Sequence, residues 1–446
     1  MKKMKRFLSV LLCACAAMLL MAAPARAAFV YPYSGSHSCN NTAISADYSW
    51  VGAWSTSPVE VNFSKMLSLT SLEGKLSVSN LTFRTVVRTT LSGDSIRITL
   101  SNEYGTGPLT VNAVTAAKTS TYSDRSIVLT TRCTVTFDGC QSVTIPAGET
   151  VTSDAIPLEV AANESITISS WLKDSRNMKT FGLIGGKTYV SGGNDTNQYM
   201  SAGLELSASM DVGDYQVIPM LTSVEVDNPE ASSVVVIGDS TLANDIPYLL
   251  SDKLQNAGIT NTGVLQQAIK GNRLVADGAG TLGMIYGESM LNRFERDALN
   301  QSGVSVILIK VGMNDIIHPN CESMKGIAPE TTTEEMIAAY KELIEAAHER
   351  GIRVYLFTRT AWNGYTRNIS GTDDIQWSEE LDAMRVELNE WIRSEDNPAD
   401  GYIELDSLCE DEACTTLKSE YTLDGAHLSD AGQQALVDLI PLDIFQ

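Results

Sequence analysis

Ser233-Val234-Val235-Val236-Ile237-Gly238-Asp239-Ser240 is the stretch on which the reading of this chain turns. Its apolar run is continuous rather than alternating, the pattern of a strand buried on both faces of a parallel sheet. A helical pattern follows from about 244 to 256. Strand-like runs recur at 304–311, 353–358 and 402–405, with a weaker one at 263–269, and amphipathic helical patterns lie at 289–299, 333–350 and 378–393. This alternation predicts an α/β fold with a doubly wound parallel sheet, whose ligand crevice lies beyond the carboxyl ends of its strands.

Upstream the pattern differs. Short segments rich in Val, Ile and Thr at 95–100, 128–137, 142–145, 150–158 and 165–171 are separated by Gly and Asn turns. Ser95 to Leu100 alternates strictly, and Leu76-Ser77-Val78 does so more briefly, so each places one face on a core. An antiparallel β-sandwich is expected over 49–226, a linker over 227–232 and the α/β domain over 233–446. A chain of 446 residues suits two such domains, each with its own core.

Residues 1–27 read as a secretory signal peptide, followed by an N-terminal segment at 28–48. Lys2, Lys3, Lys5 and Arg6 precede an apolar run from Phe7 to Ala23 and the small-x-small Ala25-Arg26-Ala27. Cleavage near Ala27 predicts a secreted or extracytoplasmic chain, with no stable membrane insertion. Loss of the five basic residues of that segment takes the formal charge from −22 to −27. Such acidity without a Lys/Arg stripe argues against nucleic acid as a partner. Six cysteines remain, an even number that permits disulfides outside the cytoplasm. Cys133 with Cys140 flanks a turn, Cys409 with Cys414 brackets a loop, and Cys39 and Cys321 are left over. The absence of CxxC or HExxH spacing gives no support to a metal site.

Three motifs carry chemistry. Gly238-Asp239-Ser240 sets a serine at a strand end, beside the N–H groups of the coming helix, which favour an alkoxide or an oxyanion; a serine here is also the ordinary helix N-cap. Gly312-Met313-Asn314-Asp315 follows another apolar strand, and its Asn314 carboxamide can donate to an oxyanion or cap the turn. Gly271, in Gly271-Asn272-Arg273, can bring a backbone N–H to the same place or simply make a turn. Asp424-Gly425-Ala426-His427 puts a base and a group to orient it on one short loop. Among the other histidines, His37 lies near the processed terminus and His348 reads as solvent-exposed. His318 either lines the pocket or sits in its loop.

Together these blocks resemble those of the SGNH, or GDSL-type, hydrolases, over about 232–446. The resemblance implies a flavodoxin-like SGNH hydrolase fold and a carboxylic ester hydrolase working without a cofactor. It implies Ser240 as nucleophile, His427 as general base and then acid, Asp424 as the orienting carboxylate, and an oxyanion hole from the N–H groups of Ser240 and Gly271 with the Asn314 side chain. Thr241 departs from the Ile or Leu of many members, with little consequence expected. Trp50-Val51-Gly52-Ala53-Trp54, Ile96 to Asn102 and Val143 to Gly148 are similar to a secreted bacterial subgroup with an N-terminal β-domain. Trp50 and Trp54 are candidates for sugar stacking, with burial in the core as the plainer reading. Trp362 and Tyr365, on a loop at the sheet rim, are candidate substrate contacts or lid packing.

The substrate these features suggest is an O-acetylated carbohydrate or another small ester. A lipase or lysophospholipase is the enzymatic rival, and a non-catalytic carbohydrate-binding protein the rival of another class. Because the base must be neutral to take a proton, turnover is expected to fall in acid.

Overall fold

The computed structural model describes residues 48–210, 213–369 and 372–446. The predicted signal peptide and most of the segment after it, with His37 and Cys39, lie outside the described residues.

The amino-terminal half is antiparallel. Strands β1 (Trp50–Ser55), β2 (Ser79–Arg88), β3 (Ile96–Ser101), β4 (Ala113–Lys118), β5 (Ser165–Asp174) and β6 (Gly186–Gly192) are followed by a hairpin of β7 (Ser207–Met210) and β8 (Gly213–Gln216), then β9 (Leu221–Asp227). One sheet runs β6-β2-β5-β4 at its centre, and another runs β1-β9-β3. The alternation of β3 is kept: Ile96, Ile98 and Leu100 are buried while Arg97 and Thr99 are half-exposed.

Two expected strands are shorter than their sequence suggests. Within 128–137 only Cys133–Val135 is a strand, with Phe137 in an isolated bridge to Cys140, and within 150–158 only Thr150–Thr152 is, with Ile156 bridged to Ile96 just before Pro157, which lacks the N–H a ladder needs. Leu76-Ser77-Val78 precedes β2 rather than forming a strand. β2 itself is an unforeseen element, buried along most of its length. Its Arg84 is covered by loops and donates to the carbonyls of Arg125, Asp195 and Gln198.

From Ser232 the fold is α/β. Strands β10 (Ser232–Gly238), β11 (Thr262–Gln266), β12 (Val304–Lys310), β13 (Arg353–Phe357) and β14 (Gly401–Ile403) form one parallel sheet in the order β11-β10-β12-β13-β14. Helices α1 (Ile246–Asn256), α2 (Met290–Phe294), α3 (Thr333–His348), α4 (Glu379–Arg393) and α5 (Asp430–Asp438) cover both faces. Val234 and Val236 of β10 pack with α1 and α5, whereas Val235 and Ile237 join the cluster that holds α2, α3 and α4. Thr332 and Glu335 close a capping box on α3, and Ser378 and Ser429 cap α4 and α5.

The two halves share a core. The cluster behind Val235 and Ile237 also contains Val51, Trp54, Phe83 and Ile98 of the antiparallel region, so the expected pair of separate cores is one continuous apolar body with a second cluster on the far face of the parallel sheet. Thr90 Oγ accepts from Val264 N at 2.8 Å and donates to Val264 O at 3.0 Å, binding the edge strand β11 to the antiparallel region. Gly52 and Gly263 meet so closely that a Cβ on Gly263 would lie 2.2 Å from Gly52 O. Trp54 is buried with its Nε1 donating to Gly185 O, and Trp50 stacks on Tyr48 under the Arg97 guanidinium.

Cys409 and Cys414 are bridged. Cys133 and Cys140 are not bridged to each other: the turn closes between Phe137 and Cys140, which leaves Cys133 further up its strand as a thiol, while Cys140 is disulfide-bonded. Among the described residues no helix is long and apolar enough to cross a membrane.

The Gly52–Gly263 contact leaves no room for even one methyl group. Gly263→Ala is expected to cost about 1–3 kcal/mol by overpacking, read as a lower urea midpoint. An unchanged midpoint would show that the two strands separate freely.

Candidate active site

β10 ends in a turn that cannot carry a side chain at its first residue, because a Cβ on Gly238 would lie 2.2 Å from Lys310 O of the neighbouring strand. Asp239 is buried, and its Oδ1 accepts from the N–H (2.9 Å) and hydroxyl (2.6 Å) of Thr241. Lys310 Nζ donates to that same hydroxyl at 2.8 Å. Through its hydroxyl Thr241 makes contacts that no apolar side chain could make. Burial pushes the Lys310 ammonium down to about 8, against the opposing charge of Asp239. Ser240 is held between these anchored neighbours.

Across 187 positions of sequence, His427 Nε2 lies 3.1 Å from Ser240 Oγ. Asp424 explains the orientation of the ring. Its Oδ1 accepts from the N–H groups of Ala426 (3.0 Å) and His427 (2.8 Å), and its Oδ2 accepts from His427 Nδ1 at 2.7 Å. With the proton on Nδ1, the Nε2 lone pair faces the serine. Burial raises the Asp424 carboxyl, but the bonds from His427 and the backbone outweigh it and hold the group below the usual carboxylate range. Gly425 has φ +96°, and a Cβ there would lie 2.6 Å from Tyr365 N, so the loop needs glycine twice over. Tyr365 stands edge-on to the imidazole, with 5.6 Å between ring centroids.

Gly271 and Asn314 border the same cleft as Ser240. Gly271 has φ +81°, and the Tyr286 ring occupies the space a Cβ would take, 2.1 Å away. Asn314 Nδ2 donates to Asn272 O at 3.0 Å, which leaves its second N–H for another acceptor. The Gly271 loop is held from beneath. Asp315 accepts from Leu274 N (2.7 Å) and Val275 N (3.0 Å), and burial pushes this carboxyl up to about 6 despite Arg273 and those two bonds.

Arg293 fixes the loop from the other side. Its Nε and Nη2 donate to Asn272 Oδ1, Nη2 also reaches Gly238 O, and Nη1 reaches Gln267 O and Ser57 Oγ. No sequence signal set this arginine apart, because a charged residue on an amphipathic helix ordinarily faces solvent.

Two spaces adjoin Ser240. The larger, about 550 Å³, is lined on one side by Asp214, Tyr215, Asn244, Lys270 and Gln433. The smaller, about 40 Å³, lies among Met313, Ile317, Ala361, Trp362 and Tyr365, with Thr241, Asn314 and Thr360 also on its lining. Trp362 is buried, its Nε1 donating to Asp382 Oδ1 at 3.0 Å, so it presents a wall rather than an exposed platform. His318 lines the larger space beside Tyr286, and His348 lies elsewhere, 2.9 Å from Asp400. Among the described residues no three His, Cys, Asp or Glu side chains group to hold a metal ion. Chemically, the hydroxyl, imidazole and carboxylate form a chain of hydrogen bonds along which a proton can leave the serine.

Residues 234–435 match the GDSL-like Lipase/Acylhydrolase family. No curated protein matches the chain. Among solved structures, the chain is similar to a putative acylhydrolase from Bacteroides fragilis, with 18% identity over 48% of this chain and 86% of that one and a TM-score of 0.32. It is similar to an acetyl xylan esterase, with 21% identity, 46% and 96% coverage and a TM-score of 0.33. A catalytic mutant of an acetylxylan esterase from Geobacillus stearothermophilus gives 17% identity, 47% and 93% coverage and a TM-score of 0.35.

A serine-directed fluorophosphonate is expected to label Ser240 once per chain, and His427→Ala to slow labelling by about a hundredfold or more. Peptide mapping by mass spectrometry reads both. Equal labelling rates in the two proteins would separate the imidazole from the serine.

Proposed function

We propose, from the match of residues 234–435 to the GDSL-like Lipase/Acylhydrolase family, that this chain is a secreted serine esterase that removes short acyl groups, acetyl first, from polysaccharide. Ser240 Oγ attacks the ester carbonyl as His427 Nε2 takes its proton. The N–H groups of Ser240 and Gly271 and the Asn314 Nδ2 hold the oxyanion. Collapse of the tetrahedral intermediate breaks the C–O bond, and the alcohol leaves with the proton from His427. Water then attacks the acyl-enzyme, His427 removes its proton, and the carboxylic acid departs as Ser240 is restored. The antiparallel region is read as an accessory β-sandwich of the same enzyme.

The observation that carries the substrate reading is the inequality of the two spaces beside Ser240. A water needs roughly 10–15 Å³ counted in the same way, so a space of about 40 Å³ suits an acetyl group and is too small for an eight-carbon chain. The space of about 550 Å³, with polar side chains such as Asp214, Asn244, Lys270 and Gln433 on its lining, suits a bulky hydroxylated leaving group. Export agrees with the amino-terminal sequence and with the Cys409–Cys414 bridge.

On p-nitrophenyl esters, kcat/KM for acetate is expected to exceed that for octanoate by about a hundredfold or more. Preference for octanoate would favour the lipase reading. Asn314→Ala is expected to lower kcat by about a hundredfold, the loss of one oxyanion donor worth roughly 3 kcal/mol. Normal turnover in that variant would remove Asn314 from the mechanism. Ser240→Ala is expected to abolish acetate release from acetylated xylan, and binding without turnover in the unmodified chain would favour a non-catalytic role.

A further inference from the structure

The larger space has one wall that the α/β domain does not make alone. Asp214 and Tyr215 belong to β8, in the hairpin that the antiparallel region sends to the cleft. They meet Lys270, which immediately precedes Gly271. Lys270 Nζ donates to Asp214 O at 2.9 Å and sits over the Tyr215 ring, 5.4 Å from its centroid. Tyr215 is buried, so it works as the floor on which the lysine rests.

An ammonium group has three N–H donors, and the Asp214 carbonyl uses one of them. The side chain is half-buried, and its bonded partner is a neutral carbonyl rather than a carboxylate. Burial pushes the ammonium down, with the Asp214 charge opposing. Such a group loses hydration without an ion pair to replace it, so acceptor oxygens arriving in the cleft gain strong bonds. The Asp214 carboxylate is exposed, with Oδ1 accepting from Ser209 Oγ, and it offers acceptors beside those donors. A donor and an acceptor side by side match two adjacent hydroxyls, each of which both donates and accepts.

We propose that Lys270 and Asp214 form a subsite for the vicinal hydroxyls of a glycosyl leaving group, making the β7–β8 hairpin a specificity element of the esterase. The proposal rests on the carbohydrate ester reading given above. It commits to neutral hydroxyls rather than a uronate carboxylate, because Asp214 and the acidity of the whole chain repel a second negative charge.

The test compares kcat and KM on acetylated xylotetraose and on p-nitrophenyl acetate for the unmodified mature chain, Lys270→Met, Lys270→Arg and Asp214→Ala, with the melting temperature of each. Lys270→Met is expected to raise KM for the oligosaccharide about tenfold with kcat within about threefold, lowering the oligosaccharide-to-acetate ratio of kcat/KM by about tenfold. Lys270→Arg should recover most of that ratio, and Asp214→Ala should lower it severalfold. Ratios within twofold of the unmodified chain in both Lys270→Met and Asp214→Ala, with melting unchanged, overturn the subsite while leaving the esterase reading intact. An effect seen only with glucuronate-bearing oligosaccharides overturns the diol in favour of a carboxylate. An unmodified chain that cleaves p-nitrophenyl acetate and no acetylated oligosaccharide overturns the carbohydrate reading and the subsite with it.

Discussion

The Arg293 guanidinium is fully buried, and its donors tie together the Asn272 side chain, the Gly238 carbonyl, the carbonyl of Gln267 and the Ser57 hydroxyl. These partners belong to the Gly271 loop, the Ser240 turn, the end of β11 and the antiparallel region. A planar group with five donors in a fixed fork can hold four chain segments at set distances, which a lysine cannot do. Its charge is matched by Asp297, 3.1 Å away on the following helical turn and held ionised by Arg293 and Arg296. Removing one member of a buried pair costs about 3–5 kcal/mol, because the other is left uncompensated. The antiparallel region thus shares an electrostatic anchor, and not only a core, with the residues around Ser240.

The same economy appears in the three acidic residues of the motif blocks. Asp239 binds the N–H of Thr241, Asp315 binds those of Leu274 and Val275, and Asp424 binds those of Ala426 and His427. Each carboxylate satisfies backbone donors of a turn. Asp424 does one thing more, because its second oxygen is left for the imidazole. Glycines complete the arrangement where carbonyls or rings come too close for a Cβ, at Gly238, Gly271 and Gly425. The geometry at Ser240 is over-determined by turns rather than by the side chains that touch substrate.

This division explains what could be read from the sequence. The parallel sheet was legible because strands buried on both faces write continuous apolar runs, and the blocks were legible because they fall at the ends of those runs. The closeness of Ser240 and His427 follows from the strand order, which brings distant turns to one rim. β2 was hidden because its polar positions, Arg84 and the threonines at 82 and 85, are buried against loops and neighbouring strands, defeating alternation. Arg293 was hidden because burial of a charge depends on partners from four segments that no local pattern links. The hairpin wall at Asp214 was hidden for a similar reason: a polar stretch becomes part of a cleft only when the halves dock. Cys133 and Cys140 misled because proximity in sequence does not set which positions face each other across a turn.

The charges beneath the site also limit what the protein interior contributes to catalysis. Asp239 is balanced by Lys310, Asp315 by Arg273 and Asp297 by Arg293, each a buried residue close to one of the turns around Ser240. A carboxylate with a cation nearby gives a weaker field a few ångströms away than the same carboxylate alone. A chain with so large an excess of acidic residues would otherwise place a negative potential on the oxygen that becomes anionic at Ser240. The cations near these three buried carboxylates lessen that penalty, and solvent and salt screen the distant charges. The proposed oxyanion donors, the N–H groups of Ser240 and Gly271 and the Asn314 carboxamide, act through their orientation, so on that reading turn geometry matters more here than net charge.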